Sequence, residues 1–165
     1  MTYELRLERL YDASPEIVFD AFVDPDSQRT LHGADRPDWI VHRVETDVRV
    51  GGTSTYVMGP EGEEPDTETR VYSVVDRPHR LVFRHSMAIS EWSRTLVTEM
   101  TITFEERDGK TLLTMVQTGF DTEEDRDGFL GGWPAYLETL RGVVTTKLSD
   151  RLEDQTDQLK ARHDT

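Results

Sequence analysis

His85 stands two and four residues from Phe83 and Leu81, and His42 is placed in the same way between Ile40 and Val44. At a spacing of two, each histidine shares the apolar face of a strand, where an imidazole can take or give a proton near neutral pH. A core histidine satisfied by its neighbours would show the same spacing. The sequence therefore assembles no catalytic set, and His85, with Tyr56 or Tyr136 beside it, is its sole candidate for such a group. Thr98, Gln117 and Tyr56 could hydrogen-bond the polar end of a bound molecule. There is no cysteine, hence no thiolate nucleophile, disulfide or cysteine metal site. No histidine pair or carboxylate cluster has metal-ligand spacing, so neither a metal nor a cofactor is expected. The chain also lacks a Gly-x-Ser-x-Gly elbow, a phosphate loop and a dinucleotide fingerprint.

These residues need elements to position them. Tyr3, Leu5 and Leu7 alternate with charges, which predicts a first strand. Ser14-Pro15 starts a helix that Asp24-Pro25-Asp26 ends, and a second short helix spans Ser27 to Leu31. His32 to Asp38 reads as loop. Six strands follow, from Trp39 to Phe120: one with Ile40, His42, Val44, Thr46 and Val48 on a face, then 53–58, 67–75, 80–85, 94–106 and 110–118. Short turns join them, Asp108-Gly109 being a hairpin signal, so the sheet is antiparallel. Thr122-Glu123-Glu124-Asp125 resembles a capping box leading to a short turn or helix. In GGWPAYLETL (131–140), the two glycines give a tight turn and Pro134 the first turn of a new helix, with Trp133 pointing inward. Trp133, Leu137, Leu140, Val144, Leu148 and Leu152 mark an amphipathic helix of about five turns.

The predicted class is α+β, in the order β-α-α-β6-α, with a curved seven-strand antiparallel sheet wrapped around a long C-terminal helix. Residues 1–150 form one domain, and 151–165 a charged helix end or frayed tail. A sheet so covered leaves a concave, mostly apolar space. Strand parity lines it with Tyr56, Met58, Phe83, His85 and Leu96, and with Thr98, Met100, Ile102, Met115 and Gln117. The helix adds Trp133, Tyr136, Leu137 and Leu140, and Trp39 and Trp92, near loops, either gate the mouth or lie on the surface. Asp47 and Arg49 flank a double-glycine turn and are read as structural, pairing with each other or with a neighbouring strand.

Composition narrows the partners. At 165 residues the chain is long enough for one core. A net charge of −14 repels phosphate backbones and anionic headgroups, which argues against nucleic acid and membrane surfaces. The alternating N-terminus is unlike a signal peptide, and no run reaches the ~20 apolar residues of a membrane span. A cytoplasmic protein, monomer or homodimer, is expected.

Five stretches in order resemble the AHSA-type branch of the START-like (SRPBCC, helix-grip) superfamily, named for an activator of a heat-shock protein's ATPase. They are Ser14–Phe22, Asp47–Gly52 as a D-x-R-x-G-G turn, Val74–Phe83 with Pro78 and Arg80-Leu81-Val82, Thr111–Met115 with Gly119-Phe120, and Gly132-Trp133 followed by Leu137 and Leu140. The chain departs from that pattern at Arg70, where a glycine is usual, and in the loop His32–Asp38. The resemblance implies a helix-grip fold and, with the architecture and the lack of a catalytic set, leaves three functions open. The first is binding of a small, mostly apolar or lipid-like molecule between sheet and helix, without a catalytic centre. The second is a polyketide cyclase- or aromatase-like enzyme using His85 and a cavity tyrosine. The third is a co-chaperone-like module contacting a heat-shock ATPase.

Overall fold

Alternation builds the sheet. The computed structural model describes residues 1–33 and 36–164. Strand β1 (Tyr3–Tyr11) buries Leu5 and Tyr11 and exposes Arg6 and Glu8 between them. Helix α1 (Pro15–Val23) follows Ser14, which holds the N-cap position in extended backbone but makes no side-chain cap bond. Asp24 ends α1 and caps α2 (Pro25–His32), its carboxylate accepting the Ser27 N–H at 3.0 Å. The loop expected over His32–Asp38 includes Ala34 and Asp35, which lie outside the described residues, as does Thr165 of the tail. His32 itself closes α2.

Strands β2 (Trp39–Glu45), β3 (Thr53–Pro60), β4 (Asp66–Asp76), β5 (Arg80–Ile89), β6 (Arg94–Arg107) and β7 (Lys110–Phe120) form a meander. The order is β1-β7-β6-β5-β4-β3-β2, and every neighbouring pair is antiparallel. At the Asp108-Gly109 hairpin both residues have positive φ, 51° and 82°, as a two-residue turn of matching twist requires. Gly52 is obligatory for a different reason: a Cβ there would meet the Asp47 carbonyl at 2.1 Å. Beside it the exposed Arg49 Nε donates to both Asp47 carboxylate oxygens, at 3.0 and 2.9 Å.

One strand corrects the parity reading. The register of β2 against β3 shifts between Val41 and Arg43. That irregularity reverses the faces, so Val41 and Val44 turn inward while Ile40 and His42 are exposed. His42 therefore faces solvent. Strand β5 also runs past His85 to Ile89, which puts Met87 and Ile89 on the inner face.

The larger correction concerns α3 (Glu123–His163), one continuous helix of 41 residues. Thr122 caps it, accepting the Asp125 N–H at 3.1 Å. Gly131 and Gly132 make no turn, Pro134 lies inside the helix, and Trp133 is not at a helix start. Two glycines and a proline together disfavour a helix by roughly 5 kcal/mol relative to alanine. The apolar stripe overrides them, because Phe129, Trp133, Leu137, Leu140 and Val144 continue through the junction at spacings of three and four and pack against the sheet. The stripe ends earlier than expected. Leu148 is half-buried and Leu152 exposed, although the helix continues through the charged segment to His163. Among the described residues no helix is long and apolar enough to cross a membrane.

The curved sheet wraps α3, with α1 and α2 closing one end. The main core lies between the β6–β7 hairpin, α1 and the middle of α3. Phe19 and Phe22 meet Phe104 edge to face there, at centroid distances of 5.1 and 6.2 Å. Towards the other end of the sheet this packing gives way to open space.

Candidate functional site

A cavity of about 730 Å³ lies where the ends of β3 to β6 face the start of α3. Its apolar wall comes from Leu31 of α2, Met58 of β3, Met87 and Ile89 of β5, and Leu96 of β6. Helix α3 contributes Phe129, Trp133, Ala135 and Tyr136. Gly128, Gly131 and Gly132 also face this space. Nothing lies within 4 Å of where their Cβ atoms would be, so backbone forms the wall there. The mouth carries Trp39 and Trp92 with charged neighbours. Arg36 stacks over Trp39 at 4.1 Å, and Arg94 binds Asp125, with Asp66 and Glu124 alongside. All three tryptophans of the chain border this one space.

The floor is polar and leads into a buried belt. Glu68 and Arg70 share the inner face of β4, are 2% and 1% exposed, and pair through Nε and Oε2 at 2.7 Å. Two histidines face the same carboxylate: His85 Nε2 at 2.9 Å from Oε1, and His32 Nε2 at 3.3 Å from Oε2. The other nitrogen of His32, Nδ1, lies 2.8 Å from the Gln28 carbonyl oxygen. Both ring nitrogens of His32 thus face oxygen atoms. The Tyr136 hydroxyl donates to Gln28 Oε1 at 2.9 Å and accepts from Arg70 Nη2 at 3.3 Å. On the β6–β7 side, Trp133 Nε1 donates to Gln117 Oε1 at 2.8 Å, and Gln117 Nε2 donates to Thr98 Oγ1 at 2.9 Å.

Electrostatics follow from this geometry. Burial alone would raise the Glu68 carboxyl, but Arg70, then His85 and His32, outweigh it and hold it well below the usual carboxylate range. Burial opposes the charge on Arg70 too, and Glu68 more than restores it. Burial pushes the phenols of Tyr56 and Tyr136 upward, so neither is a ready source of phenolate. Arg70 Nη1 and His85 Nδ1 are buried with no hydrogen-bond partner among the described residues. The guanidinium lies over Tyr56, Phe83 and Phe22 at 4.9, 5.0 and 5.5 Å, which gives it aromatic faces in place of an acceptor.

The residues expected to line the cavity divide into three groups. Met58, Leu96, Trp133 and Tyr136 border it, with Trp39 and Trp92 at its mouth. Tyr56, His85, Thr98 and Gln117 sit in the belt behind it, where His85 holds Glu68, Gln117 holds Trp133, and Tyr56 stacks on His32 at 4.2 Å. Phe83, Met100, Ile102, Met115, Leu137 and Leu140 lie beyond the belt in the packed core. The division arises because strand parity selects a whole sheet face, whereas the cavity occupies only one end of it. Parity within β4 could have found Glu68 and Arg70, which alternate with Tyr72 on one face. His32, on the helix that precedes a loop, offered no such signal. Among the described residues no group of three or more histidines and acids could hold a metal ion.

Chemically, this site can enclose an apolar body. Most of its belt hydrogen bonds are internal: His85 Nε2 is engaged by Glu68 and the Tyr136 hydroxyl by Gln28, whereas His85 Nδ1 is unpartnered.

The sequence model of the family described as Activator of Hsp90 ATPase homolog 1-like protein matches residues 12–145. Among solved structures, protein Ms6760 from Mycobacterium smegmatis is 25% identical, with a TM-score of 0.69 over 85% of this chain and 89% of its own. Mll3558 from Rhizobium loti is 24% identical, with a TM-score of 0.74 over 87% and 97%. The AHSA1-like protein from Aeromonas hydrophila is 21% identical, with a TM-score of 0.69 over 87% and 93%. No curated protein matches the chain.

Proposed function

The chain belongs to the Activator of Hsp90 ATPase homolog 1-like family, and from that premise and the open cavity we propose that it binds a small, mostly apolar molecule without turnover. The observation that carries this reading is the cavity of about 730 Å³ bordered by all three tryptophans. That volume lies within the range of small-molecule sites, and an aliphatic and aromatic wall with few polar groups suits an apolar body. Methionines 58 and 87 adapt to varied apolar shapes. Against turnover stands the internal engagement of most of the belt, whose unpartnered atoms, Arg70 Nη1 and His85 Nδ1, are buried on side chains that do not line the cavity. A general base must reach the proton it removes, and the imidazole nitrogens that face oxygen are directed at Glu68 and Gln28. Such a protein would work in the cytoplasm, in keeping with the absence of cysteine.

Native mass spectrometry of freshly purified protein, compared with the denatured chain, tests this. An extra mass lost on denaturation is expected. In Gly132→Leu, whose new side chain enters the cavity wall without a clash at its Cβ, that mass should disappear while the protein stays folded. An extra mass retained by Gly132→Leu, or a wild-type protein that takes up no apolar compound from a broad panel, would sink the reading.

A further inference from the structure

The ligand's charge is written in the cavity, provided the small-molecule reading above holds. Its lining carries four carboxylates, Asp66, Glu68, Glu124 and Asp125, against two guanidinium groups, Arg36 and Arg94. Two of the acids are already matched: Asp125 by Arg94, and Glu68 by Arg70 behind the wall. That leaves Asp66 and Glu124 facing Arg36 alone. Asp66 accepts one N–H, from Ser90 at 2.9 Å, and retains lone pairs. Glu124 is exposed.

The deep donors of the lining side chains are spent in the opposite sense, and the unpartnered Arg70 Nη1 and His85 Nδ1 belong to side chains that do not line the cavity. Trp133 Nε1 is committed to Gln117, the Tyr136 hydroxyl to Gln28, and both nitrogens of His32 to protein oxygens. An anionic head inside the cavity would thus lose water without gaining a side-chain donor from these residues. A cationic head meets the carboxylates of Asp66 and Glu124 at the rim, while the rings of Trp39 and Trp92 already carry Arg36 and Arg94. The chain's net charge of −14 adds a field that draws in cations and repels anions.

We propose that the cavity takes an apolar molecule bearing a positively charged amine, and that it selects against acids of the same shape. The ammonium lies on the mouth side, near Glu124 and Asp66, and the apolar body lies between Met58, Met87 and Trp133. Arg36 marks the limit of the cationic site, because its guanidinium already occupies the face of Trp39.

Three isosteres separate the possibilities: adamantanamine, adamantanecarboxylate and adamantanemethanol. None of them absorbs where tryptophan does, and every tryptophan borders the cavity, so intrinsic fluorescence reports binding directly. The amine should bind the intact protein at least about tenfold more tightly than the carboxylate at low salt, with the alcohol between them. Glu124→Gln should weaken the amine about two- to fivefold, and Arg36→Gln should strengthen it by a similar factor. A carboxylate that binds as tightly as the amine, or an alcohol that equals it, overturns the charge assignment and leaves the cavity reading standing. If no isostere changes the fluorescence, or if Gly132→Leu responds as wild type does, the cavity reading itself fails and this inference fails with it.

Discussion

Replacing Glu68 by glutamine tests the buried belt most directly. Glu68 and Arg70 are both almost fully buried, with Nε and Oε2 2.7 Å apart. At an effective dielectric of ~20, two unit charges at that distance attract by about 6 kcal/mol. Desolvating each ion costs several kcal/mol, so the intact pair is close to neutral in net stability. Glu68→Gln keeps the shape and removes the charge, which leaves the Arg70 cation buried among Tyr56, Phe83 and Phe22. The expected loss is about 3–5 kcal/mol, the usual cost of stranding one partner of a buried pair. Arg70→Met should cost a comparable amount by stranding the carboxylate. In the double variant neither charge remains, so its loss should fall short of the sum of the singles by at least about 2 kcal/mol. Urea unfolding at neutral pH, followed by tryptophan fluorescence and circular dichroism, measures all three. Additive single losses would refute the reasoning, since they would mean that the two charges do not sense each other. Acid supplies a second reading. The folded pKa of Glu68 lies well below the unfolded value of about 4.5. Its contribution is therefore fully present above pH ~4.5 and is lost as pH falls through the depressed folded value. The stability gap between wild type and Glu68→Gln should accordingly narrow as pH drops below 4.5, and a gap that widens there would contradict the assignment.

Three further outcomes follow from local geometry. Gly52→Ala should destabilise by about 3 kcal/mol or more in urea unfolding, because its Cβ would meet the Asp47 carbonyl at 2.1 Å. Gly142→Ala should stabilise by about 1 kcal/mol in the same assay, since this helical glycine has nothing within 4 Å of its missing Cβ and lies outside the cavity lining. Trp133→Phe should cost about 1–3 kcal/mol by leaving the buried Gln117 Oε1 without its donor. Trp133→Phe combined with Gln117→Leu should recover part of that loss in thermal unfolding.

The fold was legible where a local pattern and the tertiary demand coincide. Strand alternation in β1 and β6, the Asp108-Gly109 turn and the Thr122 cap each follow from their own residues. Misreadings arose where the two diverge. Gly131-Gly132 and Pro134 are unfavourable in a helix by themselves, yet the stripe from Phe129 to Val144 must stay on one face to close the core, and that burial prevails. At His42 an irregularity in register reverses the faces, a long-range event that strand parity does not encode. Within the site, the aromatic and methionine wall was partly visible through parity. The ion pair was visible only as two charges alternating with Tyr72 on β4, and nothing in that alternation says that this face lies under α2 and α3.

That placement explains why a nearly stability-neutral pair occupies the floor of a cavity. Apolar residues of the same volume would fold about as well, but they would leave α2 and α3 free to settle onto the sheet and fill the space. The charged belt specifies distances instead. Glu68 fixes His32, and Gln28 links His32 to Tyr136, so α2, β4 and α3 are tied at hydrogen-bond separations. On the other side Gln117 ties Trp133 to β7 and, through Thr98, to β6. Each tie is directional and loses most of its strength if a helix shifts by an ångström. A floor held in this way keeps the wall apart without an occupant, and preorganisation of that kind lowers the ordering cost that the proposed binding would carry.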